Sequence, residues 1–153
     1  IAIGSNNALN PAGMLIEYDY IYEPQFLYPE TRQATLKELA FQTYSGIKDF
    51  FEGTPTDTAK FAKTTLLPHQ WNNDMQEGLV GNTDVLSLQA ALENKGYYPS
   101  SGFTKNDCPI TGIFKRCTVA ALKEFQQKYG LEQTGYAGPQ TRKILNEKYS
   151  ETL

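Results

Sequence analysis

The stretches TGIFKRCTVAALKEFQQ over residues 111–127 and TGYAGPQTRKIL over residues 134–145 repeat one pattern. Each begins with a Thr-Gly pair, and six residues after each glycine stands a second threonine, Thr118 in the first copy and Thr141 in the second. Glycine adopts turn conformations that other residues avoid, and a helical apolar pattern follows each second threonine. The repeat therefore predicts a tight turn followed by a helix start, twice.

Three short helices joined by loops are predicted for this part of the chain. The first precedes the two copies, with Asp84 as its cap and Gly96 as its stop. Gly138-Pro139 favours the start of the last helix, because proline at the first helical position loses only an N–H group that has no helical partner. The apolar residues at helical spacing predict a small core made of Val85, Leu88, Leu92, Val119, Leu122, Phe125, Ile144 and Leu145.

Two glutamines lie among these apolar positions, Gln89 in the first helix and Gln126 in the second. Buried polar groups need hydrogen-bond partners, so we interpret each side chain as capping a loop carbonyl. Contact with a ligand is the alternative.

The order of these motifs is specific to a known family. They are Val85, Leu88-Gln89, Leu92, Gly96-Tyr97-Tyr98-Pro99, Thr111-Gly112-Ile113-Phe114, Ala120-Ala121, Phe125-Gln126, Thr134-Gly135-Tyr136, Gly138-Pro139 and Thr141. Over about residues 80–148 the chain resembles the peptidoglycan-binding domain of the three-helix type. It departs from the family at Thr111, where Asp is common, and at Lys115-Arg116, where Gly-Pro is usual. The resemblance implies binding of cell-wall glycan or stem peptide in a shallow groove, although related modules also serve as propeptides or packing units.

Four side chains are candidates for contacts with such a ligand: Tyr97, Tyr98, Arg116 and Tyr136. Aromatic faces stack on sugar rings, and the guanidinium fork of an arginine recognises the carboxylates of a stem peptide. The alternative for each tyrosine is packing beside a turn.

Cys108 and Cys117 are the only cysteines, and they bracket the loop that carries the first Thr-Gly pair. We predict a disulfide, which implies an oxidising, extracytoplasmic location. Two unrelated thiols in a cytosolic chain are the alternative. Zinc binding is disfavoured, because His69 is the only histidine and a spacing of nine residues is not that of a zinc knuckle.

The amino-terminal half gives weaker patterns. Apolar and aromatic residues alternate with acidic ones over residues 14–22, which predicts a Tyr-rich strand. A helix is predicted over residues 31–52, with an apolar face that includes Leu36, Leu39, Ala40, Ile47, Phe50 and Phe51, and a short helix over residues 57–66. Residues 1–79 are therefore predicted to be a small α+β adapter or assembly region, and residues 80–153 a separate domain that folds alone. The predicted fold class is mainly α.

Charge and motifs exclude several functions. Residues 1–80 carry 5 basic and 10 acidic side chains and residues 81–153 carry 9 and 7, so neither half has the cationic surface that nucleic acid requires. No apolar run is long enough to span a membrane. Motifs for nucleophilic catalysis, metal binding or phosphate binding are absent from the sequence, and residues 69–74 are interpreted as a loop with a buried Trp71. We predict a non-enzyme without cofactor or metal.

Two functions remain open at this point. The first is a module that anchors a secreted or surface protein to peptidoglycan. The second is a structural subunit of an extracellular assembly, in which residues 1–22 pair with a neighbouring chain by strand addition. A propeptide or accessory role beside a wall hydrolase is a third possibility. Because the chain begins with Ile1 rather than Met, we expect a processed product or a piece of a longer protein.

Overall fold

The computed structural model describes residues 22–52 and 64–149. Within them the chain forms five helices and no strand: α1 (Pro24–Leu27), α2 (Pro29–Glu52), α3 (Thr83–Asn94), α4 (Arg116–Lys128) and α5 (Pro139–Tyr149). The mainly helical fold is confirmed. The predicted strand over residues 14–22 lies outside the described residues except for its last position. The predicted helix over residues 57–66 also lies outside them, apart from its last three residues, which are not helical.

Helices α3, α4 and α5 enclose the predicted core. Of the eight apolar residues assigned to it, Val119 and Ile144 are partly buried. The other six are fully buried: Val85, Leu88, Leu92, Leu122, Phe125 and Leu145. Helix α5 begins at Pro139 as predicted, but α3 is capped by Asn82, whose side chain accepts the Val85 N–H at 3.1 Å. Asp84 was therefore the wrong cap: the helix begins one residue before it, at Thr83, and the Asp84 carboxylate is available to other partners.

Gln89 holds the first Thr-Gly turn from inside the core. Its Oε1 accepts the N–H groups of Thr111 at 2.9 Å and of Gly112 at 3.0 Å. Its Nε2 donates to the Ile113 carbonyl at 3.0 Å and to Thr118 Oγ1 at 2.9 Å. One amide, 1% exposed, thus satisfies the buried backbone of the turn and joins it to the first turns of α4.

Gln126 holds the second turn in the same way. Its Oε1 accepts the Gly135 N–H at 2.9 Å, and its Nε2 donates to the Tyr136 carbonyl at 2.9 Å and to Thr141 Oγ1 at 3.0 Å. Gly112 and Gly135 share a φ of +72°, which only glycine adopts at low cost. The internal repeat is therefore a repeat of structure, and the interpretation of both glutamines as caps of loop carbonyls is confirmed.

The Cys108–Cys117 disulfide predicted from the sequence is present. It closes the loop that carries the first Thr-Gly pair onto the start of α4. Both sulfurs belong to buried residues of the core cluster. In the chain-entropy account a loop of this length contributes about 2 to 3 kcal/mol of stability, which matters for a core this small.

Helix α2 is present, but much of its apolar face is exposed. Leu36, Tyr44 and Ile47 are 47%, 65% and 39% exposed. The inward side is mixed: Leu39 and Phe41 are half-buried, and Glu38 Oε2 accepts the N–H of Thr65 at 2.6 Å and its hydroxyl at 2.7 Å. The periodicity of the sequence predicted the helix and its two sides. It did not predict which side of the helix would face the rest of the protein.

The junction of α1 and α2 packs on the edge of the first Thr-Gly turn. A Cβ atom on Gly112 would lie 2.5 Å from the Thr31 methyl group, and one on Gly81 would lie 2.4 Å from the Tyr28 ring. Behind this junction, Leu86 on α3 is 1% exposed although it lies outside the main core cluster. The amino-terminal helices thus cover the outer side of α3.

The segment before α3 also belongs to the core. Trp71 and Met75 are 0% and 1% exposed, and the Trp71 indole N–H donates to the Asp84 carbonyl at 2.9 Å. Met75 pairs with Ala137 in an isolated antiparallel bridge. A boundary at residues 79 and 80 would remove these side chains, which the sequence does not reveal because their partners are distant in the chain. We propose instead that the domain begins before Trp71.

We expect a fragment of residues 64–153 to unfold cooperatively and a fragment of residues 80–153 to be far less stable. The shorter fragment loses Trp71 and Met75, and removal of a large core side chain costs about 3 to 5 kcal/mol. Thermal unfolding followed by circular dichroism measures both. A shorter fragment as stable as the longer one would restore the boundary at residue 80.

We expect Gln89→Ala and Gln126→Ala each to lower the free energy of unfolding by about 3 kcal/mol. Each change leaves buried N–H and C=O groups of a turn without partners, at about 1 to 3 kcal/mol per group. Urea titration of the full chain measures the loss. Gln127→Ala is the matched control, because Gln127 is exposed and the change is expected to cost less than about 0.5 kcal/mol. Equal effects at Gln126 and Gln127 would contradict the capping role.

Candidate functional site

Tyr97 and Tyr98 follow α3 and lie in different environments. Tyr97 is half-buried and meets the Phe125 ring edge-on, with ring centroids 5.9 Å apart. Tyr98 is 4% exposed, and its hydroxyl donates to the Pro109 carbonyl at 3.1 Å. Burial raises the pKa of Tyr98 to about 12. Tyr98 therefore packs against the disulfide loop, and its ring has too little exposed surface for a ligand to stack on it.

Arg116 is the first residue of α4 and is exposed. Its guanidinium carbon lies 5.7 Å from the centre of the Phe103 ring, a cation–π arrangement. The Phe103 ring thus lies beside the guanidinium of an exposed side chain. This side chain is thus a candidate for an anionic group of a ligand.

Tyr136 lies in the second Thr-Gly turn and is 37% exposed. Its hydroxyl donates to Asp74 Oδ2. The same carboxylate accepts from Arg142, with Nε at 2.9 Å and the second terminal nitrogen at 2.7 Å from Oδ1. Arg142 also donates to the Asn72 carbonyl at 3.0 Å. We call Tyr136, Asp74, Arg142 and the Asn72 carbonyl the Tyr136 cluster.

The Tyr136 cluster carries a coupled shift in acidity. The pKa of Asp74 is lowered, first by the hydrogen bond from Tyr136 and then by Arg142. The same hydrogen bond raises the pKa of Tyr136. The link therefore contributes stability above the ordinary pKa of an aspartate, and that contribution is lost as the pH falls through the lowered value.

Sequence reasoning identified Tyr136 but missed Asp74 and Arg142. The pair is separated by 68 residues in the chain, so no local spacing reports it. The polar stretch over residues 69–74 was the one available signal. Tyr97, Arg116 and Tyr136 each contact a different neighbour, so the described contacts do not join them into one groove.

His69 and Asp84 form a second polar contact, with Nε2 and Oδ1 2.9 Å apart. Asn73 donates to the other oxygen of Asp84 at 3.3 Å, and the His69 ring meets Trp71 edge-on. This arrangement fastens the segment before α3 to the start of that helix, and Trp71 is buried as interpreted from the sequence. Among the described residues no group of His, Cys, Asp and Glu is placed to hold a metal ion. None of the described helices is long and apolar enough to cross a membrane.

Part of the chain is similar in sequence to known proteins. Residues 81–145 match the family model described as "Putative peptidoglycan binding domain". The spore cortex-lytic enzyme of Bacillus cereus is 35% identical over 74 residues, which are 48% of this chain and 25% of that protein. A "Probable N-acetylmuramoyl-L-alanine amidase" of Bacillus licheniformis is 33% identical over 117 residues, covering 68% of this chain and 31% of that protein.

A solved structure is also similar. The crystal structure of the SleB N-terminal domain is 34% identical in sequence, with a TM-score of 0.42, and the match covers 52% of this chain and 97% of that one. The chain spans only about a quarter to a third of the length of the curated relatives named above. Residues 81–145, which contain α3, α4 and most of α5, thus match the peptidoglycan-binding domain family.

Proposed function

We propose that the helical unit over residues 67–149 binds the peptidoglycan of a cell wall and holds the protein to which it belongs at that wall. The observation that carries the proposal is the exposed aromatic ring of Tyr136 on a domain of this family, with its hydroxyl fixed by Asp74. The apolar helix faces are used in the core. The ligand contacts are therefore assigned to side chains at loop edges, namely Tyr97, Arg116 and Tyr136.

The proposed location is outside the cytoplasm. The Cys108–Cys117 disulfide supports it, because such bonds persist in oxidising compartments. Relatives that are named as a spore cortex-lytic enzyme and as an amidase support association with a wall or spore cortex.

We further propose that this chain is a binding module without catalytic activity of its own. The family model matches only the helical unit, and the chain covers a minor part of each lytic relative. The role supported best is an accessory module that keeps a wall-directed protein near its substrate.

We expect the full chain to sediment with purified sacculi, with weak affinity. Separate contacts at loop edges, with one or two stacked rings and one charged fork, together yield about 4 to 6 kcal/mol, a dissociation constant on the order of micromolar to millimolar. Tyr136→Ala and Arg116→Ala are expected to reduce sedimentation with the sacculi by about tenfold each, because they remove a stacking face and an anion-binding fork.

Two exposed side chains serve as matched controls. Tyr44→Ala removes an aromatic ring from α2, and Lys115→Ala removes a cation next to Arg116. Neither is expected to change sedimentation, and melting temperatures are expected to stay within a few degrees for all four variants. Absence of wild-type sedimentation with sacculi of several wall chemistries would contradict the proposed function.

A second function, as a subunit of an extracellular assembly, is supported by α2. Leu36, Ala40, Tyr44, Ile47 and Phe51 lie at steps of three and four residues on one side of this helix, and all are exposed. Contiguous apolar surface of this kind is typical of protein interfaces. In this role neighbouring copies pair through residues 1–22 and the exposed side of α2.

If copies pair, sedimentation velocity of the full chain at tens of micromolar is expected to show a dimer or larger species. Ile47→Glu places a charge in the exposed apolar side of α2 and is expected to return the chain to a monomer, since burial of an unpaired charge is costly. Lys48→Glu on the flank is the control. A wild-type monomer throughout the concentration range would exclude the assembly role.

A further inference from the structure

The Tyr136 ring is held at two points on the protein. Its hydroxyl is bonded to Asp74, and one side of the ring lies against the backbone of Gly138, where a Cβ atom would fall 2.6 Å from Cε1 of the ring. A side chain at position 138 would therefore displace the ring. Tyr136 nevertheless keeps 37% of its surface exposed to solvent.

The group that anchors the ring is itself fixed. Arg142 reaches Asp74 through two nitrogens and the Asn72 carbonyl through the third. The neighbouring residue, Met75, exchanges backbone hydrogen bonds with Ala137, at 3.4 Å and 2.9 Å. The loop that carries Asp74 and the turn that carries Tyr136 are thus joined by main chain as well as side chains, and the ring has little rotamer freedom left to lose on binding.

The exposed group of the Tyr136 cluster that can contact a ligand is the uncharged aromatic ring of Tyr136. Every nitrogen of Arg142 already has a protein acceptor, and both oxygens of Asp74 already have protein donors. A carboxylate of a stem peptide would meet the Asp74 carboxylate and an arginine whose charge Asp74 already balances, so the cluster favours an uncharged ligand. The C–H face of a pyranose ring needs only a flat aromatic surface.

We infer that Tyr136 is a fixed platform on which a sugar ring of the glycan strand stacks, and that Asp74 and Arg142 are positioning residues that hold this platform. The inference rests on the proposed peptidoglycan binding, and it names the glycan strand rather than the stem peptide as the ligand of the Tyr136 ring. A cluster that only fastens the loop over residues 72–75 to α5 is the rival explanation.

The test uses the full chain and two soluble probes, peptide-free glycan strands released from sacculi by an amidase, and the free stem peptide. Titration calorimetry is expected to show binding of the glycan strands, with about a tenfold loss in Tyr136→Ala. Tyr136→Phe keeps the ring and removes its anchor, and is expected to lose about threefold. Asp74→Ala is expected to match Tyr136→Phe.

A double-variant cycle separates positioning from fastening. If Asp74 acts through the ring, Asp74→Ala in the Tyr136→Ala background changes glycan affinity no further. A further loss of affinity in the double variant would assign Asp74 a merely structural role and overturn the positioning part. The melting temperature of each variant is measured in parallel, so that a loss of fold is not counted as a loss of binding.

The inference and the proposed function fail in different ways. Wild-type protein that sediments with sacculi but binds only the stem peptide, or that binds glycan equally well after Tyr136→Ala, overturns the platform and leaves wall binding intact. Wild-type protein that binds neither sacculi nor glycan strands overturns both.

Discussion

Two buried amide side chains organise the helical unit. Gln89 and Gln126 each project from a core helix into a Thr-Gly turn and satisfy the backbone groups that the turn would otherwise bury without partners. A glutamine is suited to this because one side chain supplies an acceptor and two donors on a rigid plane. Each amide also reaches the threonine near the start of the following helix, so turn and helix are set together.

The two turns share this geometry but serve different neighbours. At the first turn, the Thr31 methyl group of α2 packs against Gly112, where a side chain would leave no room for it. At the second, the Tyr136 carbonyl is bound by Gln126 while the Tyr136 side chain points outward to Asp74. The interior bond that fixes the fold thereby fixes the base of the proposed ligand platform. Because both glutamines bind main-chain groups of the turns, the side chain that follows each glycine can have a different role.

Helix α2 has one side that contacts the protein and another side that is exposed. Its inward side is held by hydrogen bonds such as that between Glu38 and Thr65, and much of its apolar side is exposed. Burial of the Leu36 and Ile47 side chains would stabilise the fold by the hydrophobic effect, yet both side chains are exposed. The arrangement is consistent with a helix that serves contacts with other molecules.

Local sequence patterns predicted the three-helix unit, its small core, the disulfide and the two capping glutamines. These follow from spacings of a few residues, because helical periodicity, glycine turns and the short Cys loop are local constraints. Three features became visible in the folded protein: Trp71 and Met75 complete the core, much of the apolar side of α2 is exposed, and Asp74 and Arg142 hold Tyr136. Those contacts join residues far apart in the chain, where the physical constraint is a shared surface and leaves no period in the sequence.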